Sequence, residues 1–251
     1  MLFRINQTTI MIRTLSIILF AYAISSYSQQ ISKEELIFLT PEWKGDRYQD
    51  GRPKVPDPFL ERMKKVTLEE AWAVLKNENY KYQYAENWMT INPDSVLVGR
   101  AVTAIFVPGR PDIHRVIDEK GHGQDGRIKS QNSWTIDLLV PGDVYVVDQF
   151  GAHIDGPTIG DNLGNSIYAK TGNGIVYNGA IRDISGLKEI GSFTSFFKSY
   201  HPSHHLNKPD GQLNTTLIGI NKPTRIGMAT VMAGDVAVSY THLRAHETSR
   251  N

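Results

Sequence analysis

The sequence predicts a single α/β domain, on three observations. An alternating, β-branched run from Val96 to Val107 reads as a strand. A second apolar segment, Asp143 to Val147, reads as a buried strand. Between Gly160 and Asp183 a helix passes directly into another strand, and strands mixed with helices in this way belong to layered α/β folds.

The remaining elements follow in chain order. Residues 1–28 are expected to be a secretory signal peptide: Arg4 and Arg13 precede an apolar run from Leu15 to Ile24, and small residues at Ser26 and Ser28 predict cleavage after Ser28. The run is too short to span a bilayer comfortably, so no stable membrane anchor is expected. The protein is therefore expected to be exported by a bacterium, to the periplasm or beyond. Residues 29–66 carry Pro41, Pro53, Pro56 and Pro58 among many charges and are expected to wrap the domain as an extended arm.

The domain proper is expected over residues 67–238. Thr67 and Glu70 have capping-box spacing, and Ala71, Trp72, Val74 and Leu75 offer a helix an apolar face. His114 to Gly126 is polar and contains Gly121, Gly123 and Gly126, which predicts a loop with His122 in solvent. A short helix over Ser130 to Leu139 precedes the Asp143–Val147 strand. After Asp183 a turn leads to a strand around Phe193 to Tyr200, and Thr215–Ile220 and Thr224–Val231 complete a strand-rich end. Residues 239–251 lose all apolar alternation, and Ser239 to Thr248 resembles the translation of a sequencing adapter. They are read as a non-native tail on a domain whose closing part is missing.

Composition narrows the function. The chain has 251 residues, 40% of them hydrophobic, enough for one sizeable core. Without the two terminal segments it holds 23 basic and 25 acidic residues, about −2 in net charge and with no basic run, which gives no footprint for nucleic acid. It has no cysteine, so neither disulfides nor thiol chemistry are available, and an exported fold must then hold by its core or by oligomerisation. There is no P-loop, no GxGxxG after a strand, no GxSxG elbow and no HExxH.

The candidate site lies in GDNLGNSIYAKTGNGIVYNGAIRD, residues 160–183. The turn Gly160-Asp161-Asn162-Leu163-Gly164 places backbone N–H groups at a helix start, which suits a carboxylate or phosphate. Taken alone, the plainer reading is a tight turn in which Asp161 or Asn162 caps the helix. Arg182 offers a planar fork for the same anion, and Asp183 a hard oxygen for a divalent cation; taken alone, the pair is a surface ion pair of little worth. His201-Pro202-Ser203-His204-His205 has the composition of a metal cluster, but its proline and polar flanks favour a loop. His153, between the Asp143–Val147 strand and the turn, is a candidate pocket residue.

These residues carry a resemblance. GD-x-L-G, a helix ending AK-x-G, and G-I-V-x-N-G-x-I-RD, together with VGRAVTA (98–104), VPGDVYVVD (140–148) and MAGDVAV (232–238), resemble RraA-like proteins. That family includes 4-hydroxy-4-methyl-2-oxoglutarate aldolases, RNase regulators and proteins mislabelled as dimethylmenaquinone methyltransferases. The resemblance implies a layered α/β sandwich with a mixed central sheet, assembled as a homotrimer or higher homo-oligomer. It implies that Gly160, Asp161, Asn162 and Leu163 cradle a small 2-oxo acid, with Asp161 also ordering water near the metal. It assigns Arg182 to the substrate carboxylate and Asp183 to Mg²⁺ or Mn²⁺. The implied activity is a retro-aldol cleavage or decarboxylation that releases pyruvate through an enolate; a non-catalytic acid-binding protein of the same fold is the alternative. The sequence departs from the family at Gly186, where many members carry an acid.

Overall fold

A computed structural model describes residues 28–151, 156–204 and 214–239. His153, His205, nearly all of the expected signal peptide and the tail beyond Ser239 lie outside the described residues.

The arm is not simply extended. It winds two short helices, α1 (Lys33–Leu39) and α2 (Asp57–Met63), because Ser32 caps the Glu35 N–H of the first and Pro58 sits at the permissive start of the second. The expected capping box opens α3 (Leu68–Asn77): Thr67 Oγ1 accepts from Glu70 N–H, and the Glu70 carboxylate accepts from Thr67 N–H. The apolar face of α3 is not buried. Trp72 and Val74 are exposed, and a groove of about 1320 Å³ separates the helix from Val146, Val176 and Phe196 of the sheet.

The sheet is mixed and seven-stranded. It contains β1 (Met89–Thr90), β2 (Leu97–Pro108), β3 (Asp143–Asp148), β4 (Ile175–Ile181), β5 (Ser195–Tyr200), β6 (Thr215–Ile220) and, after the hairpin β7 (Thr224–Ile226) and β8 (Ala229–Val231), β9 (Val236–Ser239). The order is β1-β5-β4-β3-β2-β6, with β9 also on β2. Strands β2, β3, β4 and β5 run parallel to one another, and β1, β6 and β9 pair antiparallel at the margins.

The parallel strands need crossovers, and helices supply them. They are α4 (Pro111–Gly123) and α5 (Gln131–Trp134) before β3, α6 (Asp161–Thr171) between β3 and β4, and α7 (Ile184–Lys188) between β4 and β5. Ile117, Trp134, Ile167 and Leu187 from these helices pack on Tyr145, Val147, Ile175, Tyr177 and Phe197. The other face carries Val144, Val146, Val176 and Phe196 under Ile226 of the hairpin. The result is the expected layered α/β sandwich.

The loop expected over His114–Gly126 is largely helix. Pro111 opens α4 and Ile117 meets the core. Gly121 serves packing instead of flexibility: a Cβ there would strike the Trp134 ring. His122 is half-exposed on that helix and meets Trp134 edge-on. Only the first part of Ser130–Leu139 is α-helical; Ile136–Leu138 tightens to a 3₁₀ turn.

The arm is fastened by buried charge at the amino end of β3. Arg52 binds Asp143 at 3.0 Å and Asp50 at 2.7 Å. Arg100 donates to Asp57 and to the Val55 and Pro141 carbonyls. Burial pushes the Asp143 carboxyl up, against the pull of Arg52. Removing one member of a buried pair strands the other. Arg52→Ala should therefore cost about 3 kcal/mol or more, read as a lower urea midpoint.

Asp235 closes a turn onto the Met232 N–H, as Asp143 does onto that of Val140. Asp235 opens onto the groove, and desolvation by the surrounding protein raises its carboxyl from the ordinary value. The folded chain thus holds this proton to higher pH than the unfolded chain, so the linked stability is full at low pH and falls as pH rises through the raised value. Asp235→Asn keeps an acceptor for Met232. Its thermal midpoint should equal or exceed wild type at pH 7, with the difference shrinking below about pH 4.

Candidate functional site

Strands β3, β4 and β5 end at one edge of the sheet, the edge where open α/β sheets bind ligands. The loop after β3 leads to Gly160, the N-cap of α6, and Asp161, Asn162 and Leu163 form the first turn of that helix. Their N–H groups have no carbonyl partner within the helix. Gly172 ends the helix in the left-handed conformation, φ 64°, with its N–H on the Tyr168 carbonyl. Arg182 and Asp183 follow β4 directly.

The structure brings the turn and the pair together. Arg182 N–H donates to the Ile159 carbonyl at 3.1 Å, tying the end of β4 to the residue before the turn. A Cβ on Gly160 would collide with Asp183 Oδ2 and lie 2.8 Å from Arg182 Nε. A larger residue at 160 would have to push these two side chains aside. Arg182 Nε donates to Asp183 Oδ2 at 3.1 Å. The Arg182 side chain is largely buried, and that of Asp183 is 42% exposed.

Asp183 takes a left-handed backbone, φ 56° and ψ 41°, at the start of α7. Aspartate is among the few residues that tolerate this region, and such strain concentrates at functional positions. Asp161 does not cap α6; it is the first helical residue, and its carboxylate accepts the Asn162 N–H at 2.7 Å. One cradle donor is thus already satisfied internally. Leu163 packs against the core and anchors the turn.

Gly186 acquires a physical explanation. A Cβ at 186 would lie 2.8 Å from both Cβ and Oδ2 of Asp161, so the Asp161 side chain occupies the space a side chain at 186 would need. Glu189 caps the far end of α7, away from this contact.

Among the described residues, no group of three His, Cys, Asp or Glu side chains could hold a metal ion. Asp183 is nevertheless a fitting ligand, being an accessible hard carboxylate, and Mg²⁺ keeps most of its shell as water. His201 sits across from Arg182 at the β4–β5 edge, its N–H on the Ile181 carbonyl at 3.1 Å. A cavity lined by Asn87, Gly151, Asn178 and Lys198 opens at the same edge but includes none of the predicted residues. Sequence reading missed Gln149, Thr158, Tyr177 and Ser203, which form a polar network beside the turn. Their spacing in the chain carries no signal of it.

The likeness of the chain to known proteins is one of family and fold. The RraA-like family model (Aldolase/RraA) matches residues 66–240, and the chain belongs to that family. Among solved structures it is similar to Streptomyces coelicolor RraAS2, an unusual member of the RNase ES inhibitor RraA protein family. The identity is 21% and the TM-score 0.59, over 75% of this chain and 84% of that one. An uncharacterised protein from Pseudomonas syringae is similar at 18% identity and TM-score 0.55, over 73% and 76%. A structure described as novel cellulases from gut-associated microbes is similar at 16% identity and TM-score 0.59, over 83% of each chain. At these identities the likeness concerns the fold. No curated protein is significantly similar to the chain.

If Asp161 and position 186 share one space, their substitutions must couple. Gly186→Glu alone should destabilise the fold. The double variant with Asp161→Gly should recover about 0.5–3 kcal/mol relative to the sum of the single changes, measured as a double-mutant cycle in urea.

Proposed function

We propose that the protein is a divalent-metal-dependent carbon–carbon lyase that acts on a small 2-oxo acid, of the 4-hydroxy-2-oxo acid or oxaloacetate type, and releases pyruvate. The observation that carries this reading is the contact at Gly160, where helix-start N–H groups, the Arg182 guanidinium and the Asp183 carboxylate meet within one small space.

The N–H groups of Asp161, Asn162 and Leu163 and the Arg182 fork bind the substrate carboxylate. The Asn162 N–H becomes available when Asp161 gives up its bond to it. Asp183 holds Mg²⁺ or Mn²⁺, which when bound supplies electrophilic stabilisation for the charge that develops on the keto oxygen. Arg182 keeps Asp183 oriented through its Nε bond. The Asp183 carboxylate is open to solvent, and assembly into a homotrimer or larger homo-oligomer would enclose it. Export to the periplasm or beyond remains part of the same reading and separates the protein from intracellular RNases.

A non-catalytic acid-binding role is favoured by one observation: the space at Gly186 is filled by Asp161, leaving Asp183 without an acidic neighbour from α7. Turnover separates the two. Pyruvate release from 4-hydroxy-2-oxo acids and oxaloacetate should require Mg²⁺ and fall by on the order of 10²-fold or more in Asp183→Ala. Arg182→Lys should raise KM about tenfold, since a point charge replaces a bidentate fork. Rates independent of metal and unchanged in Asp183→Ala would sink the lyase reading, and pyruvate binding without turnover would support the binding role.

A further inference from the structure

Beside the acid-binding turn runs a chain of hydrogen bonds that the chemistry above does not use. Gln149 follows β3 and is buried. Its Nε2 donates to the Gly156 carbonyl at 2.9 Å, and its Oε1 accepts from Tyr177 Oη at 2.8 Å. Tyr177 Oη also bonds Thr158 Oγ1. Both are fully buried, as is Asn132, whose Nδ2 donates to the Thr158 carbonyl at 3.3 Å. Burial pushes the Tyr177 phenol up, so it stays protonated and keeps donating to Gln149.

From the other side, Gly156 N–H donates to Ser203 Oγ at 2.9 Å. Ser203 is itself held by His201, whose Nδ1 lies 2.9 Å from Ser203 Oγ and 3.2 Å from Ser203 N. A main-chain N–H can only donate, so Nδ1 is an acceptor and the neutral imidazole carries its proton on Nε2. The backbone of His201 bonds that of Ile181, one residue before Arg182.

Gly156 is therefore gripped on both sides, its carbonyl from the end of β3 and its N–H from the segment after β5. Gly156 has φ 100°, and a Cβ there would come within 2.6 Å of Asn214 Cβ. Three residues further on, the Ile159 carbonyl receives the Arg182 N–H and the turn begins. The same chain of bonds thus references both halves of the site, the cradle and the arginine, to the ends of three parallel strands.

We propose that Ser203, with Gln149 and Tyr177, is a positioning residue of the site, fixing the 156–159 segment and so the place where the Gly160–Leu163 N–H groups meet Arg182. The inference rests on the acid-binding reading of that turn. A cradle that grips the carboxylate equally before and during bond cleavage affects ground and transition states alike, so its displacement raises KM and leaves kcat nearly unchanged. A residue needed only for folding lowers the thermal midpoint and the active fraction, and leaves KM alone.

The test uses full-length protein with Ser203→Ala, Tyr177→Phe and the conservative Ser203→Thr. It reads amide hydrogen exchange at residues 159–163, kcat and KM for pyruvate release, and Kd for pyruvate. Ser203→Ala and Tyr177→Phe should each speed exchange there about tenfold and raise KM and Kd about five- to tenfold, with kcat within about twofold. Ser203→Thr should restore all three. Unchanged exchange and KM in both variants would overturn the proposal, as would a fall in kcat and thermal midpoint at constant KM. If wild type binds pyruvate but releases none from any substrate, the lyase reading fails by itself, and exchange and Kd still decide the positioning role.

Discussion

The parallel pairing of β3, β4 and β5 is the constraint on which the rest of the site depends. Parallel strands end at the same edge, so Asp148, Ile181 and Tyr200 deliver their following segments to one region of the surface. Each strand must then cross back over the sheet. Those crossovers, α6 and α7, begin at the residues that form the site. The helix start at Asp161 and the left-handed Asp183 are thus consequences of the sheet's chain direction as much as of their own sequence.

Close approach turns that neighbourhood into a candidate site. The end of β4 and the start of α6 are joined by the Arg182–Ile159 main-chain bond, and Gly160, having no side chain, leaves the Asp183 and Arg182 side chains room to lie against the turn. The same economy recurs at Gly186, whose missing side chain leaves room for Asp161. Two glycines, one on each crossover, let two helix starts share a space that ordinary side chains would fill. In that space a guanidinium and a carboxylate are held at hydrogen-bond distance, a workable arrangement for an anionic substrate and a hard cation.

The arm has a different physical character from the site. Arg52, Arg100 and Asp143 are buried and paired in charge at the amino end of the sheet, where they fasten residues 50–57. This leaves the two ends of the parallel strands physically distinct, a buried charge clamp at one and the candidate site at the other. The exposed apolar face of α3, standing off the sheet across a wide groove, shows that capping and periodicity suffice to form a helix without deciding what it packs on.

The sequence by itself determined the long strands, the α6–β4 unit and the capping box, and it singled out residues 160–183, because periodicity, turn chemistry and motif order are local properties written along the chain; it read Thr224–Val231 as one strand where the chain turns back as the β7–β8 hairpin. It misread His114–Gly126, since three glycines signal a loop unless one knows that Trp134 packs against Gly121. Only the tertiary structure decided that Gly160 touches Arg182 and Asp183, that Asp161 fills the place of a side chain at 186, and that Gln149, Tyr177 and Ser203 meet around Gly156. Those contacts join residues far apart in the chain, and their geometry is set by strand order and crossover path, which no local pattern encodes.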